Sequence, residues 1–434
     1  MSASDPKREF AVEVVRTLTG AGFTALWAGG CVRDWLLGNP PADYDVATDA
    51  RPEQVQKLFG PRRTLAIGAS FGVILVHGPR KSGAGDVEVA TFRTEGPYLD
   101  GRRPEHVSYA TPEEDARRRD FTINGMFYDP LADQILDFVG GRDDLARKVV
   151  RAIGDPQARF REDKLRMLRA VRIAARFDFA LDHATAEAIR AMETEILVVS
   201  PERITQELKK MLVHPRRARA IALAHELKLL TVILPQLAPV IATHGLAGSR
   251  DRWTITLRAL ELLEFPRFEL ALATTLYELA GDAPAEAAAE IAERICRGLR
   301  LSNDECRDIS WLVAHRDALR GAPGFPKHKL KRLLAESLIG ELVALERARS
   351  SASGNGADDL KFCEDYLRVH SAAEINPPEP ITGDDLIELG LAPGAQFTTL
   401  LDAVRDAQLD ELIFTREEAL EYVRMLIGKR SFPG

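Results

Sequence analysis

The sequence predicts an α+β head followed by a helical remainder. Over residues 1–140, β-branched runs such as Gly72–His77 and Asp86–Phe92 are separated by turn residues and helical segments. After Asp143 the strand signals end, and Ala, Leu, Arg and Glu recur at helical spacing almost to the last residue. The chain has 434 residues, whereas single domains have ~150, so we expect several domains.

The predicted elements of the head follow one another at short intervals. Residues Ala11–Leu18 have helical periodicity, and Ala25–Ala28 is a short apolar strand that Gly29 and Gly30 interrupt. A helix resumes over Val32–Leu37 and is ended by a Gly-Asn-Pro-Pro turn. The β-branched runs then supply the paired strands of a mixed sheet.

Composition divides the chain into four predicted domains. The head covers residues 1–140, a helical neck 141–215, a helical body 216–349, and a linker with an acidic helical tail 350–434. The linker is indicated by the small polar residues SSASGNGADD at positions 350–359.

Composition also excludes several classes of protein. Hydrophobic residues make up 45% and charged residues 28%, which is typical of a globular chain. No apolar run reaches the ~18–20 residues of a membrane span, and the polar start MSASDPKREF lacks an apolar signal core. The four cysteines form no C-x-x-C pair, which argues against a disulfide framework or structural zinc. We expect a cytoplasmic protein without a membrane segment.

Charge is distributed unevenly along the chain, although the net charge is only −7. Residues 145–176 contain ten Lys and Arg against three Asp and Glu, whereas residues 351–434 contain seven against sixteen. The basic stretch is typical of a surface that follows nucleic-acid phosphates, and the alternative is a solvated helix face.

The turn at Gly29 and Gly30 has the features of a phosphate site. Without side chains, these two residues let backbone N–H groups approach a ligand closely. The helix that follows directs its free N–H groups and its dipole at the same place, which suits a triphosphate. Arg33, early in that helix, is expected to add a mobile positive charge.

Two aspartates follow within twenty residues of this turn. Alternation along a strand places Asp43 and Asp45 on one face and Tyr44 on the other. Paired carboxylates repel unless a cation holds them, and their hard oxygens favour Mg²⁺. Glu88 is the candidate third carboxylate of a two-metal site, although Asp86 shares its face and a solvent-facing role remains the alternative.

These residues resemble the motifs of the class II tRNA nucleotidyltransferases, the CCA-adding enzymes, and of the related bacterial poly(A) polymerases. Five segments resemble the family motifs in order: Gly29–Asp34 with Asp43–Asp45, Arg118–Asn124, Asp137–Leu145, Glu162–Arg169 and Pro201–Glu207. The resemblance covers residues 20–215. It implies a polymerase β-like palm with a mixed sheet, which uses Mg²⁺ to transfer nucleotides from CTP and ATP to the 3′ end of tRNA.

Asp163 and Arg166 are the predicted base-reading pair. Three residues apart, they are expected to share one helix face. A carboxylate accepts from the amino group of cytosine or adenine, and a guanidinium donates to the adjacent ring acceptor. Guanine and uracil present the opposite polarity and leave buried groups unpaired. The family resemblance assigns the same role to these positions.

Other arginines of the motifs are expected to contact phosphates. Arg169 and Arg172 continue the same stripe and would reach nucleotide or tRNA phosphates, with a surface ion pair as the alternative. One of Arg118 and Arg119 is expected to contact the triphosphate, and the sequence does not decide which.

Further motif residues are interpreted as supports. Asp120 and Asn124 are expected to brace the site through hydrogen bonds. Glu202 and Arg203 are interpreted as a structural helix cap or pair and are left out of the site. Residues 95–109 are predicted to form a mobile loop over the site, or an ordinary surface hairpin.

The predicted function is the synthesis or repair of the tRNA 3′-CCA end. A poly(A) polymerase, or an enzyme that adds only A or only CC, shares the same motifs, although the acidic tail counts against poly(A) activity. An inactive RNA-binding protein is disfavoured by the presence of both aspartates, and a small-molecule nucleotidyltransferase by the basic neck. Many relatives carry a His-Asp metal-hydrolase signature in the segment that resembles residues 270–281. This chain has Tyr277-Glu278 in place of that His-Asp pair, so a phosphohydrolase activity is not expected. The oligomeric state stays open.

Overall fold

The computed structural model describes residues 5–68, 72–80, 82–95, 107–247, 251–281 and 284–430. The chain forms two compact units, Met1–Pro235 and Gln236–Gly434.

A seven-stranded mixed sheet organises the head and confirms the predicted fold class. Its strands pair in the order β3-β4-β5-β2-β1-β8-β9, and a separate hairpin pairs β6 with β7. Strands β2 and β5 run parallel, whereas β1 is antiparallel to β2 and to β8. The head strands are β1 (Ala25–Ala28), β2 (Asp45–Thr48), β3 (Thr64–Gly68), β4 (Val73–His77), β5 (Asp86–Thr91), β6 (Arg93–Glu95), β7 (Val107–Tyr109), β8 (Phe127–Asp129) and β9 (Gln134–Leu136).

Helices of the head pack their apolar sides against this sheet. The first helix begins after Asp5, whose carboxylate accepts from the Lys7 N–H, and it buries Phe10 and Val14. On the other side of the sheet, a small cluster around Phe92 and Phe127 fills the space below the motif residues. The head helices are α1 (Pro6–Gly20), α2 (Gly30–Leu36), α3 (Pro52–Phe59), α4 (Pro112–Arg117) and α5 (Gly141–Ala146), with a 3₁₀ turn at Thr122–Asn124.

The remainder of the first unit is helical apart from one short strand pair. Val149–Val150 and Ala180–Leu181 form a parallel ladder, which the prediction of an all-helical remainder missed because two-residue strands leave no periodicity. The elements are β10 (Val149–Val150), α6 (Pro156–Glu162), α7 (Arg166–Phe177), β11 (Ala180–Leu181), α8 (His183–Ala191), α9 (Pro201–Leu212), α10 (Arg217–Glu226) and α11 (Leu229–Ile233), with a 3₁₀ segment at Glu193–Val198.

The second unit is built from helices. The predicted linker at 350–359 is wrong in extent, because helix continues through Ser353 and resumes at Ala357, leaving only a Gly-Asn-Gly turn between. The helices are α12 (Ala238–Ile241), α13 (Arg252–Leu262), α14 (Phe268–Leu276), α15 (Ala285–Gly298), α16 (Asn303–Ala314), α17 (Lys327–Leu334), α18 (Ile339–Ser353), α19 (Ala357–Val369), α20 (Ala372–Ile375), α21 (Gly383–Glu388), α22 (Ala395–Leu409) and α23 (Arg416–Arg430).

The acidic tail packs against a basic helix of its own unit. Glu411 accepts hydrogen bonds from Lys327 and Lys331 of α17 at 2.5 and 3.0 Å, and Asp406 accepts from Arg332 at 2.7 Å. The excess of carboxylates in the tail is thus partly neutralised inside the unit. No helix in the described part of the chain is long and apolar enough to cross a membrane.

Candidate active site

The glycine turn after β1 places backbone beside a guanidinium. Gly29 has a φ of +75°, a conformation that favours glycine, and it precedes α2 directly. A side chain at this position would lie 3.0 Å from Nη1 of Arg119. The turn is therefore a narrow cleft between the start of α2 and a positive charge, as the sequence predicts for a phosphate site.

The two predicted carboxylates of the sheet are direct neighbours. Asp45 begins β2, and in the parallel β2–β5 ladder it pairs with Glu88, so both side chains project from the same face. Asp43 precedes the strand, so the prediction that one strand carries both aspartates is wrong. Exposure still alternates, since Tyr44 is buried and both aspartates are exposed.

The electrostatic environment of Asp45 and Glu88 favours the binding of a cation. Desolvation by the surrounding protein raises the pKa of Asp45 to about 6, and the charges of Glu88 and Asp43 raise it further against the opposing effect of Arg119. Among the described residues, no three acidic, histidine or cysteine side chains converge as a preformed metal cage. Metal ions bound with nucleotides take only one or two carboxylates, and phosphates supply further ligands, so the residues present fit such an ion.

Arg119 is the arginine of its motif that faces the site. It pairs with Asp115 at 2.9 Å, and its guanidinium lies 4.9 Å from the centre of the Phe127 ring. Its charge also acts on Asp45. Arg118 is directed elsewhere, to the Arg93 carbonyl and Asp115. Of the two arginines that the sequence leaves open, Arg119 is thus the one beside the Gly29 turn.

Arg33 is not the mobile charge that the sequence predicts. Only 6% of the residue is exposed, and its guanidinium donates to Asp34 at 2.7 Å and to the side-chain amide oxygen Oδ1 of Asn124 at 2.5 Å. It also lies 4.4 Å from the centre of the Phe177 ring. Because every side of the guanidinium is engaged, Arg33 is a fixed support below Gly30.

Asp120 and Asn124 brace the site as predicted. Asn124 donates to Asp120 at 3.1 Å while accepting from Arg33, and the other carboxylate oxygen of Asp120 accepts from Arg169 at 2.5 Å. Although burial acts in the opposite direction, Arg169 and Asn124 lower the pKa of Asp120 to about 2. An ionised Asp120 therefore connects α2 to α7.

Asp163 and Arg166 occupy a junction between two helices. Asp163 is the extended residue after α6, and Arg166 begins α7, so the prediction of one shared helix face is wrong. Asp163 pairs with Arg203 of α9 at 2.8 Å. Arg166 is buried and bonds Glu162 at 2.5 Å and the Arg118 carbonyl at 3.3 Å. The sequence analysis interprets Arg203 as part of a structural helix cap or pair and leaves it out of the site, whereas the structure pairs it with Asp163, a predicted site residue.

Comparisons with known proteins identify the family of this chain. Residues 25–151 match the family described as "Poly A polymerase head domain", and residues 178–241 match "Probable RNA and SrmB-binding site of polymerase A". The CCA-adding enzyme of Geobacillus stearothermophilus is 36% identical over 377 residues, covering 82% of this chain and 88% of that protein. The CCA-adding enzyme of Lactiplantibacillus plantarum is 30% identical, with 96% of each chain covered.

This chain belongs to the family of CCA-adding enzymes. The crystal structure of the Bacillus stearothermophilus CCA-adding enzyme in complex with CTP superimposes with a TM-score of 0.74 at 27% identity and covers 99% of both chains. As a member of this family the chain is a nucleotidyltransferase, a class of enzyme that generally uses a divalent metal ion.

In this CCA-adding enzyme, the arginines of α7 are paired with carboxylates of the protein. Arg169 bonds Asp120, as described, and Arg172 bonds Glu207 of α9 at 2.5 Å. The prediction that both arginines extend to phosphates therefore does not describe their geometry here. Their side chains join α7 to the head and to α9.

A basic cavity of about 340 Å³ lies beside Arg172. It is lined by five basic residues, among others: Arg172, Arg176, Lys210, His214 and Arg216. Desolvation lowers the pKa of His214, and the charges of Arg176, Arg217 and Arg216 lower it further. The potential in this cavity is thus positive, which suits an anionic group.

Two other predicted features have different outcomes. Of the predicted loop at 95–109, positions 96–106 lie outside the described residues, whereas Arg93–Glu95 and Val107–Tyr109 pair as antiparallel strands. In the second unit, Tyr277 donates to the Arg316 carbonyl at 2.9 Å, and Glu278 pairs with Arg349 at 3.2 Å. Both side chains are engaged in a buried network of the protein.

Proposed function

We propose that this protein adds or repairs the 3′-terminal CCA of tRNA, using CTP and ATP and releasing pyrophosphate. The observation that carries the proposal is the pair formed by Asp45 and Glu88, one strand away from the cleft between Gly29 and Arg119. A carboxylate pair beside a phosphate cleft is the arrangement that nucleotidyl transfer requires.

The triphosphate is held on the β1 side of Asp45. Backbone N–H groups at the start of α2 and the guanidinium of Arg119 approach from two sides of Gly29 and Gly30. Arg33 keeps the turn in place from below, since its Nη2 atom lies 3.5 Å from the position that a Gly30 side chain would take. We assign Arg119 rather than Arg118 to the triphosphate.

Mg²⁺ is the ion that the donor set fits, with Asp43 and Asp45 as protein ligands. When bound, it would neutralise phosphate charge and lower the pKa of the attacking 3′-hydroxyl. Asp45 binds the ion in its ionised form, so binding displaces the proton that its raised pKa favours.

Glu88 is the candidate proton acceptor and third carboxylate. The tRNA 3′-oxygen forms a bond to the α-phosphorus, the bond from that phosphorus to the bridging oxygen breaks, and pyrophosphate leaves with the electron pair. The proton of the 3′-hydroxyl passes to the carboxylate of Glu88 and then to solvent. Its position beside Asp45 supports this role over that of Asp86, which is paired with His77 at 3.1 Å.

The base is selected at the junction of α6 and α7. Asp163 accepts from the amino group of cytosine or adenine, and Arg166 donates to the adjacent ring acceptor. Arg203 holds the Asp163 carboxylate at 2.8 Å and so fixes its orientation. Because Glu162 holds Arg166 at 2.5 Å, the pair is rigid before the nucleotide arrives, which favours selectivity.

The RNA is bound largely through its phosphates at the basic cavity next to α7. The arginines and the lysine around His214 supply positive charge there, and the family match described as a probable RNA-binding site overlaps the cavity at Lys210–Ala220. Within this scheme the predicted domains act as catalytic head (1–140), base-reading and RNA-binding neck (141–215), body (216–349) and tail (350–434). The reaction takes place in the cytoplasm, where tRNA is matured.

The test uses tRNA that lacks CCA, tRNA that ends in CC and complete tRNA, each with single labelled nucleoside triphosphates and with CTP and ATP together. We expect two residues from CTP alone, one from ATP on the CC-ending tRNA, three from the mixture on the shortest tRNA and none on complete tRNA. Long homopolymers from ATP would instead identify a poly(A) polymerase. Addition that stops at CC, or that occurs only on CC-ending tRNA, would identify a partial activity.

A further inference from the structure

The catalytic carboxylates continue into an apolar row across the sheet. In the β2–β5–β4–β3 ladder, Asp45 pairs with Glu88, Glu88 with Leu75, and Leu75 with Leu65. Paired residues of neighbouring strands project from the same face. Two leucines thus follow two carboxylates in a single row on one face of the sheet.

Within the described part of the chain, this apolar part of the face is accessible to solvent. Leu65 is 51% exposed, and Val73 and Leu75 are half-buried, whereas Ile74 and Val76 on the opposite face are fully buried. Strand alternation accounts for the buried set, which packs into the core of the head. Strand alternation does not explain why the exposed end of the row has a leucine, Leu65, where a polar residue would be equally compatible with the fold.

The direction of attack relates this surface to the reaction. Strand β2 lies between β1, which leads into Gly29, and β5, which carries Glu88. In nucleotidyl transfer the attacking and leaving oxygens lie on opposite sides of the phosphorus. If pyrophosphate leaves toward Gly29 and Arg119, the 3′-hydroxyl approaches from the Glu88 side, and the nucleotides that carry it lie over β4 and β3.

We propose that Val73, Leu75 and Leu65 form a platform for the last unpaired nucleotides of the RNA acceptor. This inference rests on the proposed function and adds the location of the second substrate. The platform contacts ribose and base faces through apolar surface and holds the terminal 3′-oxygen in line with Glu88.

An apolar platform suits an enzyme whose acceptor end changes during the reaction. The terminal nucleotide differs before and after each addition, so hydrogen bonds to one base would oppose extension of the next. Every base presents an apolar face, and contacts to that face tolerate any sequence. We therefore expect the platform to act equally on acceptors that end before CCA, after C and after CC.

The experiment compares Leu65→Ser and the double variant Leu65→Ser/Leu75→Ser with wild type. We expect the KM for the tRNA acceptor to rise about threefold in the single variant and about tenfold in the double variant, by the same factor on all three acceptors. The affinity for CTP, measured by calorimetry without tRNA, is expected to stay unchanged. Leu75→Met keeps the apolar surface and is expected to retain the wild-type KM.

Leu131→Ser is the matched control. Leu131 is 42% exposed and lies between β8 and β9, at the opposite end of the same sheet. An equal rise in KM for Leu131→Ser, or an unchanged acceptor KM in the double variant, would overturn the platform. So would a wild-type dimer that Leu65→Ser dissociates, because a second copy would then cover the surface. Failure of wild type to extend any tRNA would refute the proposed function, irrespective of these leucines.

Discussion

The carboxylates of β2 and β5 and the arginines of α7 are both concentrations of like charge, but the fold treats them differently. Each of Arg169 and Arg172 has a carboxylate partner from another element, at 2.5 Å. Asp45 instead adjoins a second carboxylate, and the nearby Arg119 is already paired with Asp115. A dense cluster of like charges therefore does not by itself identify a ligand site. Charged groups that have no partner of opposite charge do identify one.

Replacement of the uncompensated carboxylates has the largest expected effect. Asp43→Asn and Asp45→Asn each remove a metal ligand, so kcat for CMP addition is expected to fall by about 10³-fold or more. The affinity for tRNA is expected to stay within about twofold, because phosphate contacts lie elsewhere.

Asp143→Asn, at an exposed position of α5, is the control and is expected to retain full activity. A wild-type kcat in Asp45→Asn would show that Asp45 is not a metal ligand in this site. Equal losses of kcat and of tRNA affinity would indicate a structural role.

Base selection is expected to change by one to two orders of magnitude. Asp163→Ala removes the acceptor for the amino group of cytosine and adenine, so kcat/KM for CTP and ATP is expected to fall about 10- to 100-fold. Discrimination against UTP and GTP is expected to shrink, since their carbonyls no longer face a fixed negative charge. Single-nucleotide kinetics with all four triphosphates measure both effects.

Arg203→Ala sharpens this test because it leaves Asp163 in place without its ion-pair partner. A smaller loss of the same selectivity is expected. If Asp163→Ala slows all four nucleotides by one factor, the residue is structural and selection occurs at another place.

Replacement of the paired arginines is expected to lower the stability of the fold more than the rate of nucleotide addition. Arg169→Ala leaves Asp120, a 7%-exposed carboxylate, without its cation, and the free energy of unfolding at pH 7 is expected to fall by about 2 kcal/mol. The lowered pKa of Asp120 fixes the pH dependence. Its stabilising effect is complete above the unfolded-state pKa of ~3.9 and is lost as pH falls toward 2.

Urea unfolding at pH 7 and pH 3 measures this difference. Arg161→Ala, an exposed position on α6, is the matched control and is expected to change stability by less than about 0.5 kcal/mol. An Arg169→Ala protein as stable as wild type at pH 7 would show that the pair does not connect α7 to the head.

The pairs of the acidic tail have the smallest expected effect. Glu411→Gln weakens an exposed bond to Lys327 and a part-buried bond to Lys331, and is expected to lower stability by about 1 kcal/mol with no change in activity. Hydrogen bonds from Lys327 and then Lys331 lower the pKa of Glu411 to about 2, so this contribution is present above pH ~4.3 and fades as pH falls toward 2. Glu421→Gln is the control, and a loss of activity in Glu411→Gln alone would assign the tail a catalytic role.

The sequence predicts the secondary-structure elements of this site better than it predicts which residues pair between those elements. The strand that ends at Gly29, the short helix after it and the mixed sheet follow from local pattern, and all are observed. The pairing of Asp45 with Glu88 depends on a parallel ladder between strands about forty residues apart, and no local signal encodes that register.

Ion pairs over long sequence separation account for most of the differences. Arginine side chains are usually exposed, so the sequence predicts a mobile Arg33. In the structure Asn124, which is 91 residues away, fixes its guanidinium. Arg203 is interpreted as a structural pair and left out of the site because its partner Asp163 lies 40 residues earlier. Asp163 and Arg166 have helical spacing, and only the backbone shows that α6 ends before Asp163 and that α7 begins at Arg166.

The stability of Asp45→Asn with and without Mg²⁺ tests the central claim most directly. The raised pKa means that ionised Asp45 destabilises the fold, and this penalty grows from pH ~4 to about 6 and persists above it. Without metal at pH 8, Asp45→Asn is therefore expected to be more stable than wild type by about 1 kcal/mol, with no difference at pH 3.5. Mg²⁺ with CTP is expected to stabilise wild type but not the variant. Equal stability of both proteins at pH 8, with equal gains from Mg²⁺ and CTP, would contradict the claim that the uncompensated carboxylates form the metal site.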